Sequence, residues 1–321
     1  LDYIRPDLAA VIARHELGLD EHRPAAVAKR RKTGHRTARE NLHHLIDDDS
    51  WIEYGPLVVA AQRSRREMQD LIENTPADGM LSGIGSINGD LFDEEKRTQA
   101  VVMSYDYTVL AGTQGHFNHY KKDRMMELAV EWRLPVVFFA EGGGGRPGDV
   151  DNLSPAGLDI LTFNTWGRLS GTVPMVGITT GRCFAGNAVI LGCCDVVIAT
   201  KDSNIGMGGP AMIEGGGLGV YRPEEVGPMS IQVPNGVVDI EVEDEAEAVE
   251  VAKKYLSYFQ GPIDDWSCAD QRELRHVVPE NRLRIYDVRQ AIEKMFDTDS
   301  VLEIRRGFGH GMVTAFARVE G

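Results

Sequence analysis

The sequence predicts an α/β protein with a parallel core sheet, and three observations carry that prediction. Residues 134–140 and 173–180 are apolar runs, as expected of strands covered on both faces. A third run over 194–200 follows at strand–loop–helix spacing, with helices expected over 154–170 and 185–192. Each of the first two runs ends in a small-residue loop: Glu141-Gly142-Gly143-Gly144-Gly145-Arg146-Pro147-Gly148, then Gly181-Arg182-Cys183-Phe184-Ala185-Gly186-Asn187. Consecutive glycines are costly in chain entropy, so the first loop implies a need for bare backbone.

Composition sets the limits. With 321 residues, 42% hydrophobic and 26% charged, the chain can bury a large core. A net charge of −15 argues against a nucleic-acid or membrane-surface binder, since either needs a basic face. Cys183, Cys193, Cys194 and Cys268 show no paired framework, so free thiols in a reducing cytoplasm are expected. No apolar run approaches the roughly 18 residues of a membrane span, and residues 1–6 lack a signal-peptide pattern. The chain does not begin with Met and is expected to be a fragment of something longer.

In order, residues 6–18 have helical spacing at Leu8, Val11, Ile12 and Leu17. A basic cluster follows, Lys29-Arg30-Arg31-Lys32 with Arg36 and Arg39, which reads either as a solvated helix face or as a phosphate contact. Thr37 and Glu40 have capping-box spacing and should start a helix through Leu45. Met80–Ile87 and Ala100–Asp106 read as a hairpin signalled by Asn88-Gly89. Tyr107–Gly115 is a loop and Phe117–Arg133 a helix with Tyr120, Met125, Leu128 and Val130 as its apolar residues. Beyond the core, helices are expected from Glu241–Glu247 through Tyr258 and over Asp287–Phe296, with residues 260–286 irregular. Residues 307–319 read as the opening strands of a new unit. The resulting division is 1–45 helical, 46–305 the main domain, and 306–321 the start of a second domain.

Several chemistries find no support. Gly143-x-Gly145-x-x-Gly148 fits the dinucleotide fingerprint formally, but Pro147 interrupts the helix opening and no acid stands about 20 residues on. There is no Gly-Lys-Ser/Thr after the glycines and no Gly-x-Ser-x-Gly, and Cys183 shows no base beside it. His43 and His44 beside Asp47–Asp49 read as surface histidines and helix-end acids, and His116 and His119 lack an acidic or Cys partner at ligand spacing, so no metal is expected. What remains is backbone dipoles: N–H groups from two loops, one at a helix start, suit a thioester oxygen that becomes an oxyanion. Close helix–strand packing also favours small residues, so on chemistry alone both readings stand.

The chain resembles the amino-terminal half of the carboxyltransferase component of biotin-dependent acyl-CoA carboxylases, in the crotonase superfamily. The resemblance runs through residues 37–42 and 51–55, Asp78–Gly89, Tyr105–Thr113, Glu141–Arg146 and Gly181–Asp195. At Glu141–Arg146 the family usually has Asp-Ser-Gly-Gly-Ala-Arg, and near Gly181 it has Gly-Pro-Cys-Ala-Gly-Gly-Ala. The resemblance implies a spiral of ββα units, with an acyl-CoA enolate met by N–H groups of Gly143, Gly144, Ala185 and Gly186. It implies CoA contacts at Lys32, Arg36, Arg39, Gly145 and Phe184. Biotin would arrive on a separate carrier domain or subunit, with ATP and Mg confined to the partner biotin carboxylase, and the carboxyltransferase would form a homo-oligomer. Departures are Gly142 and Gly145 for Ser and Ala, and Ala185 and Asn187 for Gly and Ala. The glycine-rich Glu214–Gly219 stretch leaves room for a longer or branched acyl group. The chain alone is expected to be inactive. The alternatives are a crotonase-like hydratase, isomerase or hydrolase with Asp149, Asp151 or Glu214 as base, or a non-catalytic assembly module.

Overall fold

Seven strands form one mixed sheet in the computed structural model, which describes residues 3–151 and 160–321. Their order is β1 (Ile52–Glu53), β2 (Met80–Ser86), β3 (Gln99–Tyr105), β4 (Val136–Phe139), β5 (Met175–Thr179), β7 (Val196–Thr200) and β9 (Ile240–Val242). β1, β2 and β3 pair antiparallel, and every neighbour from β3 to β9 is parallel. A small parallel sheet joins β6 (Arg182–Phe184) to β8 (Asn204–Gly206), and β10 (Leu302–Ile304) pairs antiparallel with β11 (Thr314–Phe316).

The helices are α1 (Pro6–Glu16), α2 (Pro24–Arg31), α3 (Ala38–Leu45), α4 (Met68–Asn74), α5 (Glu95–Thr98), α6 (His116–Trp132), α7 (Thr162–Leu169), α8 (Gly186–Gly192), α9 (Pro210–Gly215), α10 (Met229–Gln232), α11 (Glu245–Gln260) and α12 (Val288–Met295). Strand alternation sorts the core into two layers. Val136 and Phe138 pack with Met125 and Met126 of α6, Trp166 of α7 and Ile190 of α8. Val137 and Phe139 pack with Leu42 and Leu45 of α3 and with Val249 and Leu256 of α11. Both faces are covered, so β4 is apolar at every position and β5 and β7 are nearly so. From β5 the chain repeats one unit: a strand in the large sheet, a strand in the small one, then a helix. β5, β6 and α8 are followed by β7, β8 and the short helices α9 and α10, the ββα spiral expected.

Several expectations need correction. β2 and β3 register from Ser86↔Gln99 to Met80↔Tyr105, so residues 87–98, including α5, connect them rather than a two-residue turn at Asn88-Gly89. Asn88 instead donates to the Lys253 carbonyl (2.9 Å) and to Gln260 (2.7 Å). On α6, Tyr120 and Val130 are exposed, while the buried face includes Asn118, His119, Lys121 and Lys122 beside Met125, Met126 and Ala129. Only α7 appears from the helix expected over 154–170, and residues 154–159 lie outside the described ones. Contacts cross the expected divisions at 45 and at 305. Leu42 and Leu45 of α3 belong to the main core, and β10 pairs with β11 across residue 305. Arg318 likewise donates to the carbonyls of Ser257 and Gly261 (2.5 and 3.0 Å) at the end of α11.

Candidate functional site: three laced loops

The loops after β3, β4 and β5 are joined by backbone hydrogen bonds. Gly142 donates to the Arg182 carbonyl (2.7 Å) and accepts from Phe184 (3.0 Å), extending the parallel alignment of the strands into the loops. Gln114 donates to the Gly144 carbonyl (2.7 Å) and accepts from Arg146 (3.0 Å). A Cβ on Gly142 would lie 2.0 Å from the Gly112 carbonyl oxygen, and one on Gly181 2.4 Å from Glu141 Oε1. In this arrangement of the loops neither position leaves room for a side chain.

The four backbone donors expected at Gly143, Gly144, Ala185 and Gly186 do not share one fate. Gly143 donates to the Ala111 carbonyl (3.3 Å), and Ala185 to the Gly206 carbonyl (3.0 Å). Gly144 donates to the side-chain oxygen of Asn187 (3.2 Å). Of these four, Gly186 alone has an N–H with no acceptor among the described residues, and in the first loop the N–H of Gly145 has none either. The first loop therefore offers its free donor one to two residues later than the sequence implied. The two loops still meet, since a Cβ on Gly144 would lie 2.7 Å from that of Ala185. Gln114, not singled out from sequence, stands at the same junction. Its Nε2 is buried without a partner among the described residues, and a Cβ on Gly186 would lie 2.8 Å from its Oε1.

Two buried ion-pair clusters hold the first loop at its ends. At the start, Glu141 receives both arms of Arg30 (2.9 and 2.6 Å), a bidentate pair. Arg30 also approaches Glu245 at the start of α11 (3.6 Å), and that carboxylate accepts from the Arg36 backbone N–H (2.9 Å). His35 lies 3.6 Å from Glu245, whose carboxylate lifts its pKa against the opposing effect of burial. At the far end, Arg146 pairs with fully buried Asp78 and donates to the Thr113 carbonyl (2.9 Å) and hydroxyl (3.1 Å). Asp78 also accepts from the Asn118 N–H (2.8 Å) as α6 begins.

The cluster expected to contact CoA is mostly occupied internally. Arg39, expected to contact CoA, is buried and donates to Glu53 (3.1 Å) and to the Gly18 carbonyl (2.8 Å). Arg36 spends its guanidinium on His44 (3.1 Å) and the Glu40 carbonyl (3.2 Å). Lys32 is exposed at the end of α2. The Phe184 ring is buried against Gly209, so it shapes the loop from beneath, whereas nothing lies within 4 Å of a Cβ on Gly145.

The carboxylates of the hydratase reading are also engaged. Asp149 accepts from the His116 N–H (2.8 Å) and Gln62 (3.0 Å). Asp151 accepts from the backbone of Arg63 and Ser64, and Glu214 is exposed on α9. Burial raises the Cys183 thiol far above its usual pKa, so it is no nucleophile near neutrality. Burial likewise pushes His119 down to about 2, leaving a neutral ring against the Thr162 hydroxyl (2.9 Å).

Ala185 has φ 52° and ψ −123°, a conformation that glycine adopts freely and alanine resists. Ala185→Gly should therefore raise stability by about 1 kcal/mol, the strain relief exceeding the entropy of the added glycine. A shift of the urea midpoint to higher concentration checks this, and a lower midpoint would refute it.

The family model described as "Carboxyl transferase domain" matches residues 29–321. The 12S subunit of methylmalonyl-CoA carboxyltransferase from Propionibacterium freudenreichii subsp. shermanii is 33% identical over 308 residues, covering 92% of this chain and 56% of that protein. Among solved structures, a single-chain, multi-domain long-chain acyl-CoA carboxylase aligns with a TM-score of 0.96 at 59% identity, covering all of this chain and 32% of that one. A transcarboxylase 12S structure with methylmalonyl-CoA bound aligns at 0.80 with 29% identity, over 100% of this chain and 62% of its own. The chain thus spans about half the length of the curated relatives it matches. The solved neighbours share the crotonase-like carboxyltransferase fold. With the family match running from the basic cluster through both glycine loops to the last residue, this chain belongs to the carboxyl transferase domain family.

Proposed function

We propose that the chain provides the acyl-CoA-binding part of the carboxyltransferase site in a cytoplasmic biotin-dependent acyl-CoA carboxylase. One feature carries this reading: two interlocked loops whose N–H groups at Gly145 and Gly186 have no acceptor, and between which no base is uncommitted, among the described residues. An acyl-CoA thioester that loses its α-proton gains negative charge on its carbonyl oxygen, and fixed N–H dipoles stabilise that charge. Such a donor set suits chemistry whose proton and carboxyl handling belong to a cofactor. Biotin, brought by a carrier domain or subunit, supplies the carboxyl group, while ATP and Mg belong to a partner biotin carboxylase. This chain's residues position the thioester and set the field around its oxygen. Like the hexameric 12S structures, it would work as a homo-oligomer, and alone it would transfer no carboxyl group.

Exposed Lys32 is one of the basic-cluster residues left to meet a CoA phosphate. A longer acyl group fits the exposed apolar residues Met207, Met212, Leu218 and Val220, which follow the strand paired with Phe184. The 59%-identical long-chain carboxylase supports the same choice. In the full-length protein, labelled bicarbonate should enter acyl-CoA, faster with a long chain than with acetyl-CoA. Lys32→Ala should raise KM for acyl-CoA several-fold at unchanged kcat. Failure of every acyl-CoA to accept label would refute the reading.

A further inference from the structure

Gly142 and Asn187, two departures from the usual family pattern, lie where the loops interlock and share the same space. Asn187 is fully buried at the opening of α8. Its Oδ1 accepts from Gly144 N–H (3.2 Å), while its Nδ2 donates to the Gly112 carbonyl (3.3 Å). One side chain from the loop after β5 thus ties together the loops after β3 and β4. The space for its amide exists because residue 142 has no side chain: a Cβ there would lie 2.4 Å from Asn187 Nδ2. The usual Ser at 142 and Ala at 187 would carry their bulk on the opposite loop.

We propose that Asn187 is a positioning residue of the carboxyltransferase site, and that Gly142 and Asn187 form one interdependent unit. Asn187 holds Gly144, and with it the free N–H of Gly145, at a fixed distance from the donor at Gly186. The price of this arrangement is that Gly144's own N–H is withdrawn from substrate. Ser at 142 is excluded while Asn187 is present, because the amide fills its place and also holds the Gly112 carbonyl 2.0 Å from the same Cβ position. Without Asn187 that carbonyl is free to withdraw. In an ordinary loop the two positions would act independently.

The proposal rests on the carboxyltransferase reading and is tested in the full-length carboxylase, with wild-type acyl-CoA carboxylation as the control for that reading. Three variants are compared: Asn187→Ala, Gly142→Ser and the double substitution. At a temperature well below unfolding, Asn187→Ala should lower kcat about tenfold with KM for acyl-CoA within twofold. Gly142→Ser should lower kcat further, and the double variant should regain at least tenfold over Gly142→Ser. Circular-dichroism melts report the folded fraction to which each kcat is normalised, so loss of fold alone cannot give the expected pattern. A normalised kcat for Asn187→Ala within twofold of wild type, or a double variant no better than Gly142→Ser, would overturn the proposal. An inactive wild type would instead refute the carboxyltransferase reading.

Discussion

Arg146→Met should destabilise the protein by about 3–5 kcal/mol, the usual consequence of leaving one partner of a buried pair alone. Asp78 has no exposed surface. Burial already raises its carboxyl above the usual range, and Arg146 opposes that rise. Without the guanidinium the folded-state pKa climbs further above the unfolded value. A group so shifted contributes stability at low pH that is lost as pH rises through its folded pKa. The deficit of Arg146→Met against wild type should therefore widen from pH 5 to pH 8 in urea unfolding. Adding Asp78→Asn should recover part of the loss, because a neutral amide costs less to bury than an unpaired carboxylate. A deficit that does not change with pH would show that lost packing, not the orphaned charge, sets the cost.

Lys122 gives the second large effect, with the opposite sign. Its ammonium is fully buried in α6, donating to the Tyr105 hydroxyl (2.5 Å). Burial pushes its pKa down to about 7, with Asp123 and Asp78 opposing. The unfolded lysine still binds its proton up to about pH 10. Between these values the unfolded state holds more protons, so stability rises with pH. Other buried groups titrate in the same range, notably Lys121, brought down to about 8, so a difference measurement is needed. The unfolding free energy of wild type minus that of Lys122→Met should grow by roughly 2 kcal/mol between pH 7 and pH 9. A constant difference would mean that water or a neighbouring acid keeps this amine charged in the fold.

These two residues show why some of the molecule was legible and some was not. The Thr37–Glu40 capping box is local chemistry and appears as written. β4 and β5 are covered on both sides, so their apolar runs betray them. β6 and β8 are three residues each and exist only as a pair, so neither carries a period long enough to recognise. Lys121 and Lys122 break the expected apolar face of α6 because their amines reach partners on β2 and β3, which no helical pattern reveals. Arg30 looked like a member of a basic surface until its partner Glu141, 111 residues away, was placed beside it. At the site, the two loops and their meeting were readable from small residues. Which N–H groups remained free depended on Ala111, Asn187 and Gly206, whose positions only the fold supplies.

The outermost strands of the main sheet have a further consequence. The interior strands are among the most apolar segments of the chain, yet the sheet ends in β1, two residues long, and β9, three residues long. Unpaired backbone at a sheet edge is a template on which another chain can add a strand, and the risk grows with the length of flat edge presented. Here each edge strand is too short to hold a second molecule in register. A chain this rich in valine and isoleucine strands therefore keeps them from assembling into intermolecular sheets.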